Sequence, residues 1–197
     1  MTTDSRAKMI RAAAKLIRTR GLTDTSFSDV VAESGAPRGS IYHHFPDGKE
    51  QLAGEAIRWT SEWALGRQRS CTATTAAGVL DCFFDLWRPL VRHSRGTEGC
   101  VVAGVAVDTS TSDELIHLVR ETFRAWVSVL TDQLEKVGVP PSRARPIAVA
   151  TVAGMEGALI LCRAEGDIAP LETVAAELKR SLATSSSPSS KIRRRRV

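Results

Sequence analysis

A Ser-Gly-Ala break at residues 34–36 separates two short helical segments near the start of this chain. We predict the first helix over residues 27–33 and the second over residues 37–44. Pro37 fits the first turn of the second helix, because its missing N–H would be unpaired there in any case. Two helices joined by so tight a turn are typical of a helix-turn-helix. The break therefore indicates a small helical domain at the N-terminus.

The second of these helices has two different faces. Ile41 and Phe45, four residues apart, belong on the side that faces a core, while Gly39 lets the backbone approach whatever lies outside. The outer side carries Arg38, Ser40, Tyr42 and His43. Arginine can bond guanine bidentately, serine and histidine can bond base edges or phosphates, and tyrosine can contact a thymine methyl or a phosphate. This composition favours a helix that lies in the major groove of DNA.

The adjacent histidines His43 and His44 could instead indicate a metal site or a catalytic base. Neighbouring side chains on a helix point about 100° apart, so this pair cannot chelate one ion. A general base needs a nucleophile and a pocket, and this segment offers neither. We predict that His43 contacts DNA and that His44 packs towards the core or the next helix. We predict no catalytic residue, no metal ligand and no cofactor.

The rest of the chain also predicts helices, since no stretch shows sustained alternation of apolar and polar residues. Asp47 and Glu50 have capping-box spacing at the start of one helix, and Pro89 lies where it would kink another. Residues 99–106 predict a short helix or an extended core segment. The other predicted helices cover residues 4–20, 48–67, 79–93, 112–137, 141–165 and 170–182. The predicted fold is therefore all-α.

The charge of the chain is unevenly distributed. Residues 1–70 hold 11 Lys/Arg and 8 Asp/Glu, residues 71–184 hold 11 and 14, and residues 185–197 hold five and none. A basic N-terminal module on a mildly acidic body suits a polyanionic partner such as DNA. The serine-rich, arginine-rich segment 185–197 is predicted to be a disordered basic tail.

Three further features bear on where the protein works. The N-terminus lacks the apolar core of a signal peptide. The apolar stretch at 147–162 is too short for a membrane span and contains Glu156, so it favours a buried helix. The four cysteines have neither metal-ligand nor C-x-x-C spacing, and we predict reduced core thiols. We expect a cytoplasmic protein without a membrane partner.

An ordered set of residues resembles a known DNA-binding region. Gly21 ends the first helix, Ser26 opens the second, Gly35 lies in the turn, Gly-Ser-Ile-Tyr-His-His-Phe fills positions 39–45, and Lys49 follows. Over residues 5–65 the chain thereby resembles the TetR family of transcriptional repressors. The resemblance implies that Ser26, Tyr42 and Lys49 hold phosphates. The full set of expected DNA contacts is Ser26, Ser28, Arg38, Gly39, Ser40, Tyr42, His43 and Lys49.

The chain departs from the family pattern at two places. Pro37 stands where the family usually has Ser or Thr, and the link before Lys49 is one residue longer than the common one. Together with Gly-Cys-Val-Val-Ala-Gly-Val-Ala at 99–106, these features resemble the subgroup of flavonoid-responsive repressors of multidrug-resistance genes.

Residues 68–184 carry aromatic side chains on several predicted helices. If these helices surround one cavity, its walls are apolar and suit a small lipophilic or aromatic ligand; by spacing alone, a dry core explains them equally well. The family resemblance implies that the C-terminal domain binds an effector between such helices. The expected effector contacts are Phe83, Trp87, Phe123, Trp126, Met155 and Glu156.

The last two predicted helices suit dimerisation. Small residues allow close approach of helices, and the leucine stripe from Leu171 onward needs a partner surface. The expected dimer contacts are Gly154, Ala158, Leu171, Val174 and Leu178. A two-fold dimer places two recognition helices about one DNA turn apart, or a multiple of it, over a palindrome.

The predicted organisation is a helix-turn-helix DNA-binding domain at 1–48, a helical effector-binding and dimerisation domain at 49–184, and the tail at 185–197. The favoured function is a repressor that a small effector releases from a palindromic double-stranded operator. The alternatives are a constitutive DNA-binding protein without an effector and an enzyme that uses the C-terminal pocket.

Overall fold

A computed structural model describes residues 2–108 and 111–184, and within these ranges the secondary structure is entirely helical. The all-α prediction is confirmed. The ten helices of these ranges are α1 Thr2–Arg20, α2 Phe27–Ser34, α3 Ser40–His44, α4 Gly48–Arg69, α5 Ala76–Phe84, α6 Arg88–Ser94, α7 Val101–Ala106, α8 Asp113–Lys136, α9 Pro141–Glu165 and α10 Ala169–Thr184. The predicted tail at 185–197 lies outside the described residues.

The first three helices form an N-terminal head around a core supplied by α1. The i, i+3, i+4, i+7 stripe of α1 is buried from Ile10 to Ile17 and packs against α2 and α4. Val30 of α2 and Ile41 of α3 close this core. Arg6 reaches across it, since its guanidinium pairs with Glu55 of α4 and lies 5.5 Å from the centre of the Phe45 ring. Because these helices are short, their stability depends on this shared packing.

The turn between α2 and α3 follows the sequence signals closely. Ser26 and Asp29 form both bonds of a capping box, and Gly35 ends α2 with φ of 65°. The third helix starts later than predicted, at Ser40. Residues 37–39 form a tight turn instead, in which the Ser40 N–H donates to the Pro37 carbonyl over 3.0 Å.

The start of α4 differs from the prediction. The Asp47 side chain makes no capping bond, and its N–H instead donates to Gln51 Oε1 at 3.1 Å. Gly48 has φ of 82°, a backbone conformation that an L side chain rarely adopts, and its N–H closes a turn on the Phe45 carbonyl. The Pro-Asp-Gly link is therefore a tight turn, which accommodates its additional residue.

The region predicted as one kinked helix at 79–93 forms two helices, α5 and α6, separated by residues 85–87. Pro89 lies in the first turn of α6, where the missing N–H interrupts no bond. The prediction of a kink at Pro89 is therefore wrong.

The body is built around α8, α9 and α10. The long helix α9 packs between α8 and α10, and α4 packs on α8. Although α9 is long and apolar enough to cross a membrane by length and composition, its buried face lies in this core. Arg88 of α6 joins α10 through Glu172 at 3.0 Å, and Lys179 of α10 joins α5 through Asp81 at 2.8 Å.

Two of the four cysteines are bonded to each other, which corrects the prediction of four reduced thiols. Cys71, just after α4, forms a disulfide with Cys82 on α5, with 6.0 Å between the Cα atoms. Cys100 and Cys162 are free and buried, as predicted. Local spacing gave no signal for the bond, because α5 folds back on the end of α4.

The segment 98–108 attaches the body to the end of α1. The Gly99 N–H donates to the Arg18 carbonyl at 2.8 Å, and the Arg18 guanidinium pairs with Glu98 at 2.6 Å. A Cβ atom at Gly104 would lie only 3.1 Å from the Ile17 carbonyl oxygen. Asp108 accepts from the Thr23 N–H at 2.7 Å and from its hydroxyl at 2.9 Å. We refer to residues 98–108 as the α1 clamp.

Gly96, which precedes the α1 clamp, gives a test of how closely this part of the chain packs on α9. A Cβ there would lie 2.2 Å from the Cys162 carbonyl oxygen, and φ is 78°; Gly166, with φ of 69°, has nothing within 4 Å of a Cβ. We expect Gly166→Ala to cost about 1 kcal/mol from its left-handed backbone and Gly96→Ala to cost about 2 kcal/mol more from overpacking. Denaturant unfolding would measure both values. Equal losses would show that the close contact does not constrain residue 96.

Candidate nucleic-acid interface and effector cavity

The outer face of α3 has the residues that the sequence assigned to it. Tyr42 is 68% exposed, Arg38, Gly39 and His43 are exposed, and His44 is half-buried with its ring beside that of Phe45. These placements agree with the different roles predicted for the two histidines. The DNA contacts themselves stay predictions.

A shallow groove of about 300 Å³ runs between α2 and α3 and brings Ser28, Arg38 and Tyr42 together. The edge of the Tyr42 ring packs against Phe27, with 5.5 Å between the ring centres. This contact fixes the direction of the phenol group, since aromatic pairs prefer edge-to-face geometry. Arg38 and Ser28 lie beside it, so a guanidinium and two hydroxyls face the same exterior surface.

The other predicted polar contacts already have partners within the protein. The Ser40 hydroxyl donates to the Pro37 carbonyl at 2.6 Å. The Ser26 hydroxyl donates to the Asp29 carboxylate. This bond and a second bond from the Ser26 N–H hold the pKa of the Asp29 carboxyl below its ordinary value. To donate to a phosphate, either hydroxyl must turn away from its present acceptor.

Lys49 makes a hydrogen bond within the head and also faces outward. Its ammonium donates to the Thr23 carbonyl at 2.9 Å. An ammonium has three hydrogens, so this bond leaves donors for a phosphate. Thr23, which also binds Asp108 of the α1 clamp, connects the start of α4 with the body. Sequence reasoning missed Thr23 and this role of Asp108, because the three residues are far apart in the chain.

The comparisons with known proteins agree with this geometry. The profile for bacterial regulatory proteins of the tetR family matches residues 9–56, and the profile for the C-terminal domain of LmrA/YxaF-like transcriptional regulators matches residues 76–177. The chain belongs to the TetR family. The predicted family is confirmed, and the chain is a DNA-binding transcriptional regulator of the repressor type.

Two relatives align with this chain over most of its length. The chain is 33% identical to the HTH-type transcriptional regulator LmrA of Bacillus subtilis, covering 85% of this chain and 91% of that protein. It is also 33% identical to the uncharacterised regulator Rv0196 of Mycobacterium tuberculosis, covering 88% and 92%. A flavonoid response stays a prediction.

Solved structures of TetR regulators share the fold. One from Legionella pneumophila superposes with a TM-score of 0.80 at 24% identity, covering 88% of this chain and 95% of that one. Another from Chloroflexus aurantiacus has a TM-score of 0.77 at 26% identity, covering 92% and 96%. The arrangement of a helix-turn-helix head on a helical body is therefore that of this family.

The six residues predicted to bind an effector lie in different surroundings. Phe83, Trp126 and Met155 are at most 2% exposed, and the space beside Phe83 and Trp126 measures only about 10 Å³. Phe123 packs edge-on against Trp126, with ring centres 5.6 Å apart. Trp87 is buried too, but it also lines a much larger cavity. Most of the set thus forms a packed core.

Glu156 lies apart from these aromatics, in a cavity of about 290 Å³ that it shares with Arg18, Arg20, Cys100 and Arg163. Burial raises the pKa of the Glu156 carboxyl to about 7, and a hydrogen bond with the Cys100 thiol opposes the rise. The neutral and ionised carboxyl are therefore both populated near neutral pH.

The largest cavity described, about 520 Å³, opens between α1, α4, α6 and the α1 clamp. We refer to it as the Trp cavity. Its aromatic walls are Trp59, Trp63 and Trp87, and Arg18, His93 and Glu98 are among its polar lining. Trp59 and Trp63 are four residues apart on α4 and 37% and 44% exposed. Sequence reasoning missed this wall, and the i, i+4 spacing of the two tryptophans is the signal that could have indicated it.

Three of the five residues predicted at the dimer interface, Gly154, Val174 and Leu178, meet between α9 and α10 within one protomer. Ala158 and Leu171 are 1% and 0% exposed. A Cβ at Gly154 would lie 3.0 Å from Val174 Cγ1 and 3.4 Å from Leu178 Cδ1. Ala158 and Leu171 are buried in this packing, whereas Gly154, Val174 and Leu178 are half-buried, so the dimer contacts stay a prediction. A neighbouring face of α9 exposes Val149, Ile160 and Leu161.

Substitutions at Arg38, in the turn before α3, and at Tyr42 on α3 test the DNA surface. Because base and phosphate contacts contribute about 1–3 kcal/mol each, we expect Arg38→Ala and Tyr42→Ala to weaken binding by fivefold or more to a duplex selected from a random pool. Fluorescence anisotropy would give the dissociation constants. Arg120→Ala, an exposed arginine on α8, is the matched control and should leave affinity unchanged. If Arg38→Ala and Tyr42→Ala both bind the duplex as tightly as wild type, this face is not the DNA-binding surface.

Proposed function

We propose that this TetR-family protein is a dimeric repressor that a small lipophilic or aromatic effector, bound in the Trp cavity, releases from a palindromic operator. The observation that supports the proposal is the position of the cavity. Its lining comes from α1 and α4, which build and carry the head, and from α6 and the α1 clamp, which belong to the body. A ligand there touches both parts of the molecule.

The lining chemistry supports an aromatic ligand that carries hydrogen-bond acceptors. Trp59 and Trp63 offer exposed indole surface on which a flat ring can pack. Trp87 Nε1 and Arg18 Nε are buried donors that have no hydrogen-bond partner among the described residues. Buried donors are normally paired; because both nitrogens are fully buried, a ligand oxygen can bond them only when the cavity wall shifts.

The proposed release mechanism uses two of the helices that line the Trp cavity, α4 and α6. A ligand between α4 and α6 favours a conformer in which α4 is displaced, and Lys49 at the start of α4 bonds the loop of the head at Thr23. Such a displacement changes the separation of the two heads in a dimer, so they no longer fit successive major grooves. The coupling free energy between effector binding and operator binding is set by the difference in effector affinity between the two conformers.

We propose that the dimer forms through the exposed face of α9. Ile160 is 70% exposed, and Val149 and Leu161 are 45% and 50% exposed. Ala153 and Gly157 lie between them on the same face and are exposed too, so a second helix can approach closely. A transcriptional regulator works where the DNA is, and we place the protein in the cytoplasm.

Effector binding gives the first test of this proposal. A panel of aromatic compounds would be screened by quenching of tryptophan fluorescence and by release of the protein from its selected duplex. For an active compound, Trp63→Ala should raise the effector dissociation constant by about tenfold, the effect of losing one aromatic wall. Trp63→Phe, which keeps a ring, should lose less, and the operator affinity of both variants should stay near wild type.

Two other results would contradict the effector proposal. If every compound leaves the protein–DNA complex intact, the chain is a constitutive DNA-binding protein. If a bound compound is chemically converted, the cavity belongs to an enzyme.

Charge on α9 tests the dimer surface. Ile160→Glu places a carboxylate in the proposed interface, where burial of an unpaired charge is strongly unfavourable, so analytical ultracentrifugation should show monomers. Val107→Glu, at a 79% exposed residue outside α9, is the control and should remain dimeric. If the Ile160→Glu variant remains dimeric, the dimer interface does not lie on this face of α9.

A further inference from the structure

The disulfide lies at the end of α4 that is farther from the head. Ser70 caps α4, Cys71 follows it directly, and Cys82 lies on α5. The bond therefore ties the last turn of α4 to α5 across the linker at 70–75. At its other end α4 follows the recognition helix, and in between it presents Trp59 and Trp63 to the Trp cavity.

Apolar packing and hydrogen bonds also hold this end of α4, including a bond of 3.4 Å from Gln68 Nε2 to the Val79 carbonyl of α5. Gln68 Nε2 donates to Gln133 Oε1 at 2.7 Å, and Gln133 Nε2 returns a bond of 2.7 Å to the Gln68 carbonyl. These bonds hold α4 on α8 whether or not the disulfide is present. The tie between α4 and α5, in contrast, includes one covalent bond that a thiol can open.

The two bonded cysteines differ from the other two in accessibility. Cys71 and Cys82 are only partly buried, whereas Cys100 and Cys162 are 4% and 0% exposed. Thiol–disulfide exchange requires access to sulfur. In a reducing compartment, accessible disulfides are usually transient and redox-sensing. Position and accessibility thus both separate this pair from the buried thiols.

We propose that Cys71 and Cys82 form a thiol–disulfide modification site that sets operator affinity by fixing or freeing the far end of α4. The proposal rests on the proposed function, in which α4 transmits movement to the head. With the disulfide formed, α4 samples fewer orientations and the two heads keep a narrower range of separations. With it open, a smaller fraction of the molecules has the operator-competent spacing, which lowers the apparent affinity.

The chemistry balances with a low-molecular-weight disulfide as oxidant. One cysteine thiolate attacks that disulfide, forms a mixed disulfide and expels one small thiolate. The second cysteine thiolate attacks the protein sulfur of the mixed disulfide, closes the Cys71–Cys82 bond and expels the other. The protein loses two electrons and two protons, and one small disulfide becomes two small thiols. Excess small thiol reverses both steps.

The first test compares operator affinity in the two redox states. Protein equilibrated with oxidised glutathione or with excess reduced glutathione would be titrated for thiols after denaturation and for affinity by anisotropy on its selected duplex. We expect two thiols and four thiols, and at least fivefold tighter DNA binding by the oxidised form, a coupling of ordinary size for linked sites. The double variant Cys71→Ser, Cys82→Ser should bind like the reduced protein in both buffers. Cys162→Ala should keep the difference between them.

The second test needs no DNA. Hydrogen exchange of the oxidised and reduced protein should differ in α4 and in the head at 26–45, as well as beside the two cysteines. A change in exchange confined to residues 68–84 would show that the disulfide stabilises only its immediate surroundings. Equal operator affinity of the oxidised and reduced forms would overturn the proposal. If neither form selects a DNA sequence, the proposed function fails, while hydrogen exchange still decides whether the disulfide reaches the head.

Discussion

The backbone contact between the end of α1 and the α1 clamp is the constraint on which the rest of this structure depends. Gly99 donates to the Arg18 carbonyl at 2.8 Å, and the lack of a side chain at Gly104 lets α7 lie against the carbonyl of Ile17. Contacts this close leave little room for sliding, because packed interiors yield in steps rather than continuously. Close packing at this contact therefore restricts the movement of the head relative to the body.

Helix α4 makes the second connection between the head and the body. It packs on both α1 and α8, so one continuous helix contacts the head and the body. The Trp cavity lies where the two connections come together, with α1 and the clamp on one side and the α4 tryptophans on the other. A ligand in that place acts on both connections at once. The disulfide adds a chemical constraint at the far end of the same helix.

Local signals in the sequence predicted the head well. The capping box of Ser26 and Asp29, the left-handed Gly35 and the two faces of α3 each involve residues within a few positions of one another, so neighbouring residues suffice to specify them. The start of α4 shows the limit of such reasoning. The spacing of Asp47 and Glu50 fits a capping box, but the left-handed conformation of Gly48 turns the chain so that Gln51 binds the Asp47 N–H instead.

The sequence by itself determined the helical fold, the helix-turn-helix and the family, because helix caps, turn glycines and the side chains of one recognition helix are set over short distances along the chain. Only the tertiary structure decided which aromatics pack the core and which line the Trp cavity, that Cys71 meets Cys82, and that Gly154 and Val174 meet between α9 and α10. The physical reason is that α9 is apolar on more than one side. Composition shows that such a helix must be covered, but which face meets its own chain depends on how distant helices pack.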